Sequence, residues 1–171
     1  AAAETLGELG VKEAIPDLKA TLRDPENSVR ANAAAALGRL RARDAVPDIM
    51  PLLKDSSWVV QVNAVDALRE LEARDAIPEL VALLRTDNGS IYSSVVEALS
   101  ELGAAEAAPK VFKLVEDEEN PYAGVAVEAL GKLGARDAVP RIMKLLDDDR
   151  LRRAAVWTLA ILGAKEAVPR L

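Results

Sequence analysis

The chain of 171 residues contains no cysteine and no histidine. Without cysteine there is no disulfide framework, no thiolate metal ligand and no thiol nucleophile. Without histidine the commonest general base, most zinc ligand sets and most hydrolase triads are gone as well. Aromatic residues make up only 3% of the chain. Any core must therefore be assembled from Ala, Leu, Val and Ile, which let helix backbones approach closely. No stretch nears the roughly 18 consecutive apolar residues of a membrane-spanning helix, and no charged and apolar leader opens the sequence. No membrane association is expected, and the expected location is the cytoplasm. Basic residues are outnumbered, 22 against 28 acidic, for a net charge of -6. They form no clustered tract of the kind that displaces counterions from a phosphate backbone, so nucleic acid is not an expected partner.

What is present is a repeat. Prolines stand at Pro16, Pro47, Pro78, Pro109, Pro140 and Pro169, at steps of 31, 31, 31, 31 and 29 residues. Leu6, Leu37, Leu68, Leu99, Leu130 and Leu159 keep the same beat. A period in this range marks a solenoid, whose units are each too small to bury their own apolar face. Period-2 alternation is absent over any useful length, which excludes a sheet.

Residues 44–71 show the plan of one unit. Asp44 is placed to cap a helix that begins Ala45-Val46-Pro47, with the proline inside the first turn where it costs little. Apolar residues recur at Val46, Ile49, Leu52 and Leu53, then Asp55-Ser56-Ser57 breaks the pattern. A second helix follows with Val60, Ala64, Val65, Ala67, Leu68 and Leu71 on one face. Equivalent capping positions are Glu13, Asp75, Glu106, Asp137 and Glu166. Gly10, Gly103, Gly134 and Gly163 fall where the second helix ends, the left-handed site that glycine tolerates best. Arg41 and Glu72 occupy that site in two units, at a cost of about 1 kcal/mol each. The turn between Leu146 and Leu151 is two residues shorter than its equivalents, which accounts for the 29-residue step and predicts a slightly altered helix pairing there. The sequence opens inside a second helix and closes a few residues into a first helix, with no polar capping unit at either end. The expectation is one repeat domain over 1–171, a fragment whose ends leave room for head-to-tail stacking on a second copy.

The phrases Ala-Leu-Gly-Arg-Leu (36–40), Asp-Ala-Val-Pro-Asp-Ile (44–49) and Leu-Leu-Lys-Asp (52–55) resemble HEAT repeats of the short, phycobilisome-lyase-like class. The resemblance covers essentially the whole chain. It implies an all-α, right-handed solenoid of about five to six antiparallel helix pairs, in which the second helices line a concave face that meets the partner. The family pattern opens that helix with Val-Arg. Val29-Arg30 and Leu151-Arg152 match it, whereas Val60-Gln61, Ile91-Tyr92 and Tyr122-Ala123 do not. The expected function is a non-enzymatic scaffold that binds a protein or peptide, with no cofactor and no metal. Two alternatives stay open: a structural or engineered repeat without a natural ligand, since the class includes artificial scaffolds, and a bilin-lyase-type subunit.

Three columns of the second helices vary between units and are candidate contacts. Arg30, Gln61, Tyr92, Ala123 and Arg152 form the first. Asn32, Asn63 and Ser94 form the second, which either presents side-chain amides to an extended peptide or bonds within the stack. Asp66, Glu97 and Glu128 form an acidic column, suited to a basic peptide or equally to solvent. Carboxylates one repeat apart lie about 10 Å from each other, too far for a catalytic pair. Trp58 and Trp157 occupy positions held elsewhere by polar or small residues and are expected on the surface, as interface anchors or as covers over local gaps. Arg153 adjoins Trp157, within a basic cluster (Arg150, Arg152) that faces Asp147, Asp148 and Asp149. The acidic segment 116–120 lacks the ligand spacing and central glycine of a calcium loop and reads as a solvated turn.

Overall fold

The computed structural model describes residues 11–170. Leu6, Gly10 and Leu171 lie outside the described residues, as do the side chains of 104–106 and with them the expected cap Glu106. The described chain is all-α, and no strand occurs among the described residues. Its helices are α1 (Ile15–Thr21), α2 (Asn27–Arg39), α3 (Val46–Ile49), α4 (Trp58–Glu70), α5 (Ile77–Ala82), α6 (Gly89–Val115), α7 (Ala123–Lys132), α8 (Val139–Lys144) and α9 (Arg152–Ile161). Single 3-10 turns lead into α1, α3, α5 and α8, the one before α3 spanning Arg43–Ala45. Each first helix packs on the second helix of its own unit, and the second helices stack in file: α2 on α4, α4 on α6, α6 on α7, α7 on α9. Contact between sequence neighbours alone is the signature of a solenoid.

The core is aliphatic and periodic. Leu37, Leu68, Leu99 and Leu130 are wholly buried, as is Leu159 in the last unit. Alanine and glycine on the facing helices bring the backbones together. A Cβ added to Gly38 would stand 2.9 Å from the Cα of Ala67 in the next unit, and one added to Gly131 would stand 3.2 Å from the Cγ2 of Thr158. The Thr158 hydroxyl donates to the Val127 carbonyl at 3.0 Å, so this buried polar group ties the last two units together. The shortened turn does not upset the packing. Leu151 is as buried as its equivalents Val60 and Ile91, while α7 and α9 are ten residues long against thirteen in α2 and α4.

The left-handed sites stand as expected. Arg41 and Glu72 have φ of 54° and 56°, beside 65° at Gly134 and 63° at Gly163. Each closes its helix with a backbone bond back over five residues, such as Ala42 N–H to the Leu37 carbonyl at 3.1 Å and Ala135 N–H to the Leu130 carbonyl at 3.1 Å. Gly103 departs from them. With φ 134° and ψ 87° it kinks α6, and the chain runs on helically past it.

One expectation is corrected. Asp44, Asp75, Asp137 and Glu13 do not cap first helices, because each lies inside the 3-10 turn and no side-chain capping bond forms there. The turn winds one step earlier than the sequence suggests, so the helix is entered from a helical residue such as Ala45 rather than an extended one. These carboxylates still place negative charge in the first turn, where the helix dipole favours it. Asp44 and Asp48 also meet Lys19 of the preceding unit, at 3.4 and 3.0 Å.

Candidate functional site

The stacked second helices bring the three variable columns side by side, and their side chains divide by what they touch. Arg30 is turned into the stack. Its Nε and Nη2 donate to the two Asp55 carboxylate oxygens, both at 2.8 Å, and Nη1 donates to the Asp24 carbonyl at 2.8 Å. The guanidinium holds the Asp55 carboxyl below the usual carboxylate range. Gln61 donates to the Asp55 carbonyl at 2.8 Å and Arg152 to the Leu146 carbonyl at 2.8 Å, the same reach back over six residues. Carbonyls at a helix C-terminus have no partner within the helix, and these side chains supply one. The first column is thereby largely spent on joining first helix to second.

Tyr92, in the same column, behaves differently. It is half-buried, its hydroxyl is shut off from solvent without a hydrogen-bond partner among the described residues, and the Lys132 ammonium lies 4.9 Å from its ring centroid. Burial, with the Glu128 charge adding to it, pushes its pKa to about 12.

In the second column the Asn63 amide donates to the Val59 carbonyl of its own helix at 2.8 Å. Asn32 and Ser94 are half-buried and make no side-chain hydrogen bond among the described residues. In the acidic column Asp66 is half-buried, and burial pushes its carboxyl upward, with Arg69 opposing and Glu97 reinforcing the shift. Arg69 reaches Glu101 at 3.0 Å and Glu97 at 3.7 Å. Arg69 and Lys132 therefore interleave the acidic column, and neither was singled out by the sequence pattern.

Both tryptophans lie on the surface. Trp58 is 51% exposed beside Val59, and Trp157 is 40% exposed beside Val156 and Ile161. Trp58 does not share its environment with Asn120, its counterpart in the fourth unit. Asn120 is buried, donating to the Leu114 carbonyl at 2.8 Å and accepting from the Tyr122 N–H at 3.1 Å. The carboxylates around it stay at the surface, with Glu116, Glu118 and Glu119 exposed, so the segment is a solvated turn pinned by one buried amide. Arg152 and Arg150 pair with Asp149 and Asp148, at 2.7 and 3.3 Å. Arg153 is exposed. A hollow of about 460 Å³ opens between Pro109, Phe112, Leu133, Gly134 and Arg141, where the Arg141 guanidinium stacks on Phe112 at 3.8 Å. Among the described residues no three carboxylates gather as a metal site. No described helix is long and apolar enough to cross a membrane.

A file of antiparallel helix pairs with a closing left-handed turn in most units defines an α-solenoid of short repeats. The family of HEAT repeats matches the chain over residues 1–55, 46–123 and 113–171. The chain belongs to the HEAT-repeat family. Among solved structures it is similar to the complex of CpcE and CpcF of phycocyanin lyase from Nostoc sp. PCC7120, with 30% identity and a TM-score of 0.60, covering 98% of this chain and 73% of that one. It is also similar in fold to two engineered proteins from the Northeast Structural Genomics Consortium. One has 21% identity and a TM-score of 0.54, covering 95% of this chain and 89% of that one. The other has 19% identity and a TM-score of 0.54, covering 95% and 91%. No curated protein matched by sequence.

Proposed function

We propose that the chain is a non-enzymatic scaffold that binds a protein or peptide across its second-helix face. The observation that carries this reading is the division of side chains on that face. The core columns repeat the same Ala and Leu from unit to unit, while the variable positions include half-buried Asn32 and Ser94, whose side chains make no hydrogen bond among the described residues, and the exposed Glu97. A frame held constant beneath a variable surface suits recognition, and the sequence has neither cysteine for a thiol nucleophile nor histidine for the commonest general base. The test is a random-peptide array probed with the folded protein and with an Asn32→Ala, Ser94→Ala, Glu97→Gln variant. Peptides bound by the protein and lost by the variant are expected. Identical peptide sets would defeat the proposal.

A second reading draws on the 30% identity to the phycocyanin lyase complex. In that reading the chain is a subunit of a chromophore lyase, and its partner is a second subunit of that lyase. Mixing the protein with free bilin and following visible absorbance tests it. A spectrum equal to the sum of the components counts against a chromophore role.

A further inference from the structure

The connections between helices fall into two sets on opposite edges of the stack. The five that run from a first helix to a second (22–26, 55–57, 83–88, 116–122, 148–151) carry ten carboxylates and three arginines. The fully described ones that run the other way (40–45, 71–76, 133–138, 162–166) carry five groups of each sign. The excess negative charge of the chain is therefore concentrated along one edge. Successive turns on that edge lie side by side. Asn27 Nδ2 donates to Ser57 Oγ at 3.5 Å, Arg85 meets Asp117 at 2.8 Å, and Arg150 Nη1 donates to the Glu118 carbonyl at 3.1 Å.

Trp58 and Val59 stand on this edge as the first two residues of α4, 51% and 39% exposed. Their equivalents are Asn27-Ser28, Gly89-Ser90, Asn120-Pro121 and Asp149-Arg150, none of them an apolar pair. Units stack on both sides of α4, so the exposure of this pair does not arise at an end of the stack. Asp55 beneath it is taken by Arg30. The turn before it offers the exposed Glu26, whose carboxylate accepts from Ser28, and the turn after it offers the exposed Asp87. An exposed indole on an edge rich in carboxylates is complementary to a cation with an aliphatic neighbour.

We propose that this edge docks a basic, extended protein segment, with a lysine or arginine of the partner over the Trp58 indole, Glu26 and Asp87 facing its flanking charges, and Val59 meeting an aliphatic residue. This surface is distinct from the second-helix face, although both rest on the reading of the chain as a protein-binding scaffold. A desolvated tryptophan at the centre of a polar rim is the usual form of an interface anchor.

The experiment is fluorescence anisotropy with a labelled hexapeptide of lysine and arginine around a central leucine, against a control in which glutamate replaces every basic residue. The basic peptide should bind at least tenfold more tightly than the control, and more weakly as salt is raised. Trp58→Asn introduces the residue found at Asn27, so it should fold normally, as a circular-dichroism melt will verify, and should weaken binding tenfold or more. Glu26→Gln with Asp87→Asn should weaken it about threefold, while Asn32→Ala with Ser94→Ala leaves it unchanged. Equal affinity for both peptides, or full affinity in Trp58→Asn, overturns the proposal. Loss confined to the Asn32/Ser94 variant assigns binding to the second-helix face, overturning the edge while sparing the scaffold.

Discussion

Asp66 is held at a cost. Burial favours its protonated form, so its folded-state pKa lies above the ordinary 3.8. Its contribution to stability is intact below that ordinary value and is lost as pH rises through the folded one. Asp66→Asn should raise the melting temperature at pH 7 and lose that advantage in melts run below about pH 3.8. The gain should stay under about 1 kcal/mol, because Asp66 is half open to solvent, which screens its charge. Asp55 has the opposite sign: its depressed pKa gives stability above 3.8 that is lost as pH falls through the folded value. Glu72 carries a different strain, a left-handed φ of 56° on a residue with a Cβ. Glu72→Gly relieves it at the price of an exposed ion pair with Arg43 that contributes little. Urea titration should show a net gain of about 0.5–1 kcal/mol.

At the scale of helices, the approach of neighbouring units is set by glycine. Gly38→Ala drives a methyl to 2.9 Å from backbone, where nothing can yield without moving a helix. It should destabilise by about 1–3 kcal/mol despite the better helix propensity of alanine. Gly131→Ala meets Thr158 less closely, its methyl at 3.2 Å and its Cα at 3.4 Å, and should cost less than Gly38→Ala. Denaturation of the pair side by side checks the contrast, and a stabilised Gly38→Ala would sink the packing argument. The second helices and the left-handed sites were legible in the sequence because both depend on local spacing. The entry to the first helices was misread. Asp-Ala-Val-Pro resembles a capped start, but the backbone is already turning at Arg43. Arg30 was legible as a family position, and its inward bond was not, because Asp55 lies 25 residues away in the next unit. Trp58 could be placed on the surface by comparing units. Lys132 over Tyr92 could not, since that contact crosses between units at unmatched positions.

Across the whole molecule, stability is a sum of units and junctions, and cooperativity depends on the junctions being comparable in strength. Leu99, wholly buried before the kink in α6, sits where the third unit hands over to the fourth. Leu99→Ala should cost about 2–5 kcal/mol and divide one unfolding transition into two. Trp58 and Trp157 report from either side of the cut. In single-tryptophan versions made with Trp157→Phe or Trp58→Phe, the two probes should melt together in the parent and apart in the Leu99→Ala protein. Coincident curves in both would mean the stack unfolds as one block.

Among the described residues four of the second helices end in the same closing turn, drawn by an arginine, a glutamate or a glycine, and the bend at Gly103 differs. Identical couplings make a chain of links. A gene that loses or duplicates a stretch between two of them changes the reach of the protein by one step and leaves every remaining joint as it was. The kinked junction at Gly103 is the place where such splicing meets an odd fitting, so variation in repeat number should accumulate on either side of it rather than across it.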